Sequence, residues 1–224
     1  LAAAYNALKA SRNVHNEIVV TSHFACADDL NNQATNKQIA TFDQHLPNDS
    51  DQALPLTSLA NSAAILAWPA AQRDWQRPGY MLYGNSPFTQ PQANADQLRP
   101  VMSFESAVIS VREIAAGESV GYGANWTAER QSHIATVAVG YGDGYPRHAP
   151  NGTPVLINGV KCPLVGRVSM DMITVDVTDI KASIGDKAIL WGPALPVNEV
   201  AAACNTIGYE LLTRMPDRVP RIYI

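Results

Sequence analysis

The sequence predicts an α/β segment followed by a mostly β domain. Three features carry that expectation: a helix–strand rhythm through residue 84, a Pro/Asn/Gln-rich stretch over 85–100, and alternating apolar runs beyond it. Such a rhythm belongs to a parallel sheet or barrel, whereas period-two alternation belongs to half-buried antiparallel strands.

Taken in order, "LAAAYNALKAS" (1–11) is rich in Ala and Leu and reads as a helix. "EIVVTSHF" (17–24) is a short β-branched run, as expected of a buried parallel strand. "TNKQIATFDQH" (35–45) spaces Ile39 and Phe42 as a helix does. "LTSLANSAAILAWP" (56–69) reads as strand, loop and short helix, stopped by Pro69, and "RPGYMLYG" (77–84) as a further strand. A complete eight-stranded barrel takes roughly 250 residues, so about three such repeats would make only part of one.

After the linker-like "NSPFTQPQANADQLRP" (85–100) come "VMSFESAVISVREI", "SHIATVAVG", "TPVLINGVKCPLVGRV", "MITVDV" and "DKAILWG". All five read as strands, with Asn158-Gly159 as a hairpin turn. "VNEVAAACNTI" and "YELLTRM" read as short helices before a last strand, "VPRIYI". Two domains are expected: residues 1–96, a partial α/β barrel, and residues 97–224, a C-terminal β domain.

Composition excludes several classes. An apolar share of 46% with 16% charged residues is that of a globular chain. A net charge of −4 without a basic run argues against nucleic acid. Cys26, Cys162 and Cys204 are odd in number and widely spaced, which predicts reduced thiols and a cytoplasmic setting rather than a disulfide framework or a metal site. No apolar run approaches the roughly 18 residues of a membrane helix. The chain opens on Leu1 inside a helix-like stretch and carries no signal peptide, so it is expected to begin within a longer protein.

Chemistry is concentrated in a few places. "VAVGYGDGYPR" (137–147) ends a strand in a glycine-rich loop that presents Tyr141. This is either an ornate turn or a phenol offered to a ligand. A phenol with an ordinary pKa of about 10 needs cationic or hydrogen-bonding neighbours to act as a base near neutrality. His23 and Arg77, at predicted strand ends, are candidates, each with an ordinary structural alternative. Asn61-Ser62 opens a short helix and Gly79-Tyr80 forms a Pro-Gly turn; both could offer N–H groups to a phosphate, or be an N-cap and a turn. "VGRVSMDM" (165–172) holds Arg167 and Asp171, an internal ion pair or part of a site.

These pieces occur together in one order. "SHFACAD", "ANSAAILAWP", "DWQRPGYMLYGNSPF", "VGYG", "VAVGYGDGYPR", "NGTPVLING", "PLVGRVSMDM" and "YELLTRM…RVPR" resemble the carboxyl-terminal part of bacterial alanine racemase, along essentially the whole chain. The resemblance implies a fold-type III enzyme: the C-terminal part of a (β/α)8 barrel, then a β-strand-rich domain. It also implies pyridoxal 5'-phosphate, a homodimer with shared active sites, and interconversion of L- and D-alanine for peptidoglycan by two bases. By resemblance, Tyr141 is one base, His23 bonds to it across the dimer, and Arg77 faces the pyridine nitrogen. Ser62, Gly79 and Tyr80 cradle the phosphate, and Met170 and Asp171 lie near the substrate carboxylate.

Departures accompany the likeness. Lys9, Lys37, Lys161, Lys181 and Lys187 are the only lysines, and none sits in the motif of the cofactor-carrying lysine. The family's carboxylate-binding arginine, in a "GMxRxG"-like segment, has no counterpart, and Asp217 stands where some relatives have a phosphate-binding tyrosine. The chain alone is therefore expected to be inactive. Alternatives are a racemase of serine, lysine or arginine, or a noncatalytic scaffold.

Overall fold

The structure, a computed structural model, describes residues 1–47 and 54–224. It divides into two compact units, Leu1–Arg99 and Pro100–Ile224.

In the first unit, helix α1 (Ala2–Lys9), strand β1 (Val19–Thr21), helix α2 (Ala34–His45), strand β2 (Leu56–Ser58) and helix α3 (Ser62–Ala67) follow one another. The strands pair in parallel, with Val20 opposite Thr57 and Thr21 opposite Ser58. Ile39 and Phe42 of α2 pack with Val20, Phe24, Leu59 and Leu66, so the helical spacing of these apolar residues is what fixes α2 to the sheet. Asn61 caps α3, its Oδ1 accepting from the Ala64 N–H at 3.1 Å, and Pro69 stands two residues past the helix end.

Two expectations fail here. "RPGYMLYG" is not a strand: a single parallel bridge joins Trp75 to Ser58, and Tyr80–Tyr83 wind into a 3-10 turn. Pro78 supplies no N–H to a ladder and Gly79 weakens one, which explains the early end. Nor is 85–100 a free linker, because Phe88 and Ala95 enter the first unit's core. The side-chain amides of Gln92 and Asn94 both donate to the Leu66 carbonyl near the end of α3. Asp74 pins β2 by accepting from the Thr57 N–H at 2.8 Å and its hydroxyl at 3.0 Å. Those bonds hold its carboxyl below the ordinary carboxylate pKa.

The second unit contains strands β3 (Phe104–Ile114), β4 (Ser119–Val120), β5 (Trp126–Thr127), β6 (Ser132–Val137), β7 (Pro154–Ile157), β8 (Val160–Pro163), β9 (Ile173–Asp176) and β10 (Lys187–Trp191). Helices α4 (Val197–Ala203) and α5 (Gly208–Thr213) follow. Six strands form one antiparallel sheet in the order β8-β7-β10-β3-β6-β9, and β4 with β5 makes a small hairpin. The sheet nearly closes on itself: Leu164, just past β8, bridges Val175 of β9, and the Val165 N–H donates to the Thr174 carbonyl at 2.9 Å. Alternate residues such as Val108, Ile134, Val155, Leu164, Val175 and Leu190 face inward and are buried. Asn158 (φ 49°) and Gly159 (φ 81°) turn β7 into β8 with the positive φ pair of a type I′ hairpin.

The closing segment "VPRIYI" is no strand; Ile222, Tyr223 and Ile224 lie outside any regular element and are exposed. With the six-stranded sheet closed by β8 and β9, it has no edge to join.

Two outcomes are expected. Leu164→Ala, at a fully buried position, should cost about 2–5 kcal/mol in chemical denaturation. Asp74 has a lowered folded pKa, so its stabilisation is present above the unfolded carboxylate pKa and fades as pH falls through the folded value. Acid titration of the first unit's circular dichroism should show less pH dependence in Asp74→Asn than in the parent.

Candidate functional site

Each unit carries one constellation. In the first, Arg77 is held at the carboxyl ends of β1 and β2. Its Nη1 donates to Thr21 Oγ1 at 3.0 Å and to Ser58 Oγ at 2.6 Å. Its Nη2 donates to the Ser22 carbonyl at 2.7 Å, to the Leu59 carbonyl at 3.3 Å and to His23 Nδ1 at 3.4 Å. The Arg77 N–H, donating to the Ala60 carbonyl, continues the β2 side of this clamp. Every one of these acceptors is neutral, and among the described residues Arg77 forms no ion pair. Its positive charge is thus fixed in place and uncompensated. Because a guanidinium only donates, His23 Nδ1 is the acceptor and the ring proton lies on Nε2, away from Arg77. His23 itself is exposed.

Ser62, 3% exposed at the start of α3, accepts at Oγ from the Gly79 N–H (3.0 Å) and the Met81 N–H (3.2 Å). Asn61 takes up the Ala64 and Ile65 N–H groups, leaving those of Ser62 and Ala63 directed out of the helix start. Beside them the space where Gly79 would carry a Cβ is empty to 4 Å. A buried hydroxyl, outward N–H groups, open space and a cation without a counter-ion make a donor set suited to an anionic ligand such as a phosphate ester. Tyr80 is buried, whereas Leu82 and Tyr83 in the same turn are exposed.

In the second unit β6 runs into the 3-10 turn Tyr141–Asp143. The turn is stitched to a facing segment: the Tyr141 N–H donates to the Ser169 carbonyl at 3.0 Å and the Gly142 N–H to the Met170 carbonyl at 2.8 Å. A Cβ at residue 140 would lie 2.3 Å from both the Ser169 and Met170 oxygens, so only glycine permits this approach. Asp143 closes the turn with Oδ2 on the Gly140 N–H at 2.8 Å. Its Oδ1 meets Arg218 Nε at 3.0 Å, and Arg218 Nη2 reaches Asp171 at 2.6 Å. Asp171 therefore pairs with Arg218, not with Arg167 as its sequence position allowed. These two carboxylates hold the Arg218 proton more firmly than usual.

Tyr141 is 39% exposed under the guanidinium of Arg147, whose Cζ is 5.9 Å from the ring centre. Tyr145, by contrast, is buried against Trp191, with ring centres 6.3 Å apart. Burial, with Cys204 nearby, drives its phenol pKa upward, so Tyr145 stays protonated and structural.

A residue not singled out from sequence joins Tyr141. A cleft is lined by Tyr122, Tyr141, Arg147, Val168, Ser169 and Met170, and Tyr122 is 71% exposed. It sits on a turn between Gly121 and Gly123, both at positive φ. The signal was present: "VGYG" occurs twice, at 120–123 and at 139–142. Of the residues singled out in this unit, Tyr141 and Met170 line the cleft and Asp171 is adjacent in sequence. His23, Arg77, Ser62, Gly79 and Tyr80 group in the other unit. Among the described residues no helix is long and apolar enough to cross a membrane, and no group of His, Cys, Asp and Glu could hold a metal ion.

Known proteins resemble the chain throughout. The model of the alanine racemase N-terminal domain matches residues 1–87 and that of the C-terminal domain residues 101–223. An alanine racemase of Aliivibrio salmonicida is 52% identical over 97% of this chain and 60% of its own length. The biosynthetic alanine racemase of Pseudomonas aeruginosa is 54% identical over 92% of this chain. A crystal structure of that Pseudomonas enzyme superposes with a TM-score of 0.91 at 50% identity, covering 99% of this chain and 61% of its own. The alanine racemase of Bartonella henselae, solved with covalently bound pyridoxal phosphate, superposes at 0.83 with 38% identity over 92% of this chain and 56% of its own. The chain spans about 60% of the length of the curated relatives it matches.

Gly140→Ala is expected to cost about 1–3 kcal/mol through overpacking, seen as a lower thermal midpoint, because its methyl must push residues 169–170 away from the tyrosine turn.

Proposed function

The chain belongs to the alanine racemase family, and from that premise we propose that the whole protein interconverts L- and D-alanine with pyridoxal 5'-phosphate. The observation that carries the reading is the clamp on Arg77: a cation fixed by neutral acceptors, beside a buried serine and an empty glycine turn. That donor set fits a phosphate and an aromatic nitrogen base. Ser62 with the N–H groups at the start of α3 and in the 79–80 turn would hold the phosphate, and Arg77 would face the ring nitrogen. When bound, the cofactor supplies an electron sink that acidifies the substrate Cα–H.

The residues of this chain then divide the remaining work. A guanidinium donates hydrogen bonds without giving up its proton, so at a ring nitrogen Arg77 would donate without protonating it, which restrains side reactions such as transamination. It also fixes the His23 tautomer, leaving Nε2–H free to donate to a phenol oxygen and stabilise the phenolate. Racemisation needs a base on each face of Cα. This chain supplies one, a phenol, and the family's cofactor-carrying lysine is the other. A homodimer with shared sites would bring the phenol of one subunit to His23 of another, in a cytoplasmic enzyme supplying D-alanine to peptidoglycan.

Two phenols open on one cleft, and exposure separates them. A group that serves a partner's site has to project from its own subunit. Tyr122, 71% exposed on its glycine-flanked turn, does so, while Tyr141 lies lower, beneath Arg147. We therefore assign proton exchange to Tyr122 and cleft lining to Tyr141, in place of the role expected for Tyr141 from sequence.

In the full-length enzyme Tyr122→Phe should lower kcat/KM for L-alanine by about 10²–10⁴, the scale of a lost general base. Tyr141→Phe should lower it less than about tenfold. The opposite pattern returns the proton to Tyr141, and undiminished racemisation in both variants removes the phenol from the mechanism.

A further inference from the structure

Arg218 occupies a position that neither proton exchange nor cofactor binding uses. It comes from the carboxyl-terminal segment and lies between two carboxylates, Asp143 at 3.0 Å and Asp171 at 2.6 Å. Space for it is built in: a Cβ on Gly142 would lie 2.8 Å from Arg218 Nη1. The two aspartates are not equivalent. Asp143 is largely covered and also bonds the Gly140 N–H, whereas Asp171 is half exposed and Arg218 is its partner among the described residues.

Met170, the neighbour of Asp171, lines the cleft with both phenols. A substrate carrying a carboxylate that enters this cleft comes up to Met170, whose chain neighbour is the half-exposed Asp171. An unneutralised carboxylate at its rim repels an anion and lowers its local concentration. Arg147 lines the cleft, and beside Met170 and the Tyr141 turn Arg218 pairs with Asp171 and Asp143, so these four charges cancel.

We propose that Arg218 is a positioning residue that masks the charge of Asp171, and so sets the affinity of the cleft for a carboxylate-bearing substrate. The proposal rests on the racemase reading above for the identity of that substrate. Removing Arg218 leaves the Tyr141 turn tied by its backbone bonds to Ser169 and Met170 and by Asp143 to Gly140. The phenols accordingly stay in place while Asp171 becomes an uncovered negative charge. The effect falls on substrate binding and not on the chemical step.

The test compares the full-length parent with Arg218→Ala, Arg218→Lys, and Arg218→Ala combined with Asp171→Asn. KM and kcat are measured for L-alanine, and the dissociation constant is measured for propionate, a carboxylate of the same chain length that cannot react. Arg218→Ala should raise KM and the propionate constant about tenfold, one charge interaction on the affinity scale, with kcat changed less than about threefold. Arg218→Lys should recover most of that loss, added salt should shrink it, and Asp171→Asn should relieve it in the double variant. An unchanged KM in Arg218→Ala overturns the proposal. So does a loss that Asp171→Asn fails to relieve, since a purely structural staple would not be rescued by removing the carboxylate. A parent that racemises no alanine but binds propionate in the expected pattern supports the masking and overturns the racemase reading instead.

Discussion

The second unit depends on how closely two stretches of backbone can approach. Residues 140–142 lie against residues 169–170 with carbonyl oxygens where a side chain at 140 would have to be. That approach converts the end of β6 into a rigid turn, because the N–H groups of Tyr141 and Gly142 find their acceptors across the gap. The Tyr141 side of the cleft follows from it. Tyr141 leaves the strand at a fixed angle, Met170 is presented beside it, and Asp143 and Asp171 come near enough for one arginine to bridge them. The glycine pattern that looked excessive for a turn is the record of this contact, not of the turn itself.

The first unit solves a different electrostatic problem. A guanidinium normally finds a carboxylate, and a salt bridge would cancel the field that makes it useful. Around Arg77 the chain supplies hydroxyls and carbonyls instead, drawn from the ends of two parallel strands. Neutral acceptors satisfy its donors without spending its charge. Because those acceptors sit on strand ends, they are as well ordered as the sheet.

Much of this was legible in the sequence where periodicity and turn chemistry were strong. The β-branched runs at 17–24 and 132–140, the helical spacing of Ile39 and Phe42, and the Asn158-Gly159 hairpin each express local physics. The failures share a cause in tertiary context. "VPRIYI" has strand composition but finds no strand edge, and "RPGYMLYG" has it too but is broken by Pro78 and Gly79. The 85–100 stretch looked like a tether because its amides are polar, yet those amides serve as acceptors' partners at the end of α3. At the site, a histidine, an arginine and a serine could be singled out as types, but their grouping needs strand register. Tyr122 was passed over because its tetrapeptide is the less ornate of two copies. Exposure, which distinguishes the copies, is not a local property. Arg218 is farther still from local rules, as its partners are 75 and 47 residues away in the chain.

The near-closure of the β sheet also bears on how this unit can meet another protein. An open antiparallel sheet can recruit a neighbour by adding a strand, a main-chain contact nearly blind to sequence. Where Leu164 meets Val175 that route is shut. Recognition must then pass through side chains and loop tips, so the choice of partner is written in residues that substitution can tune one at a time.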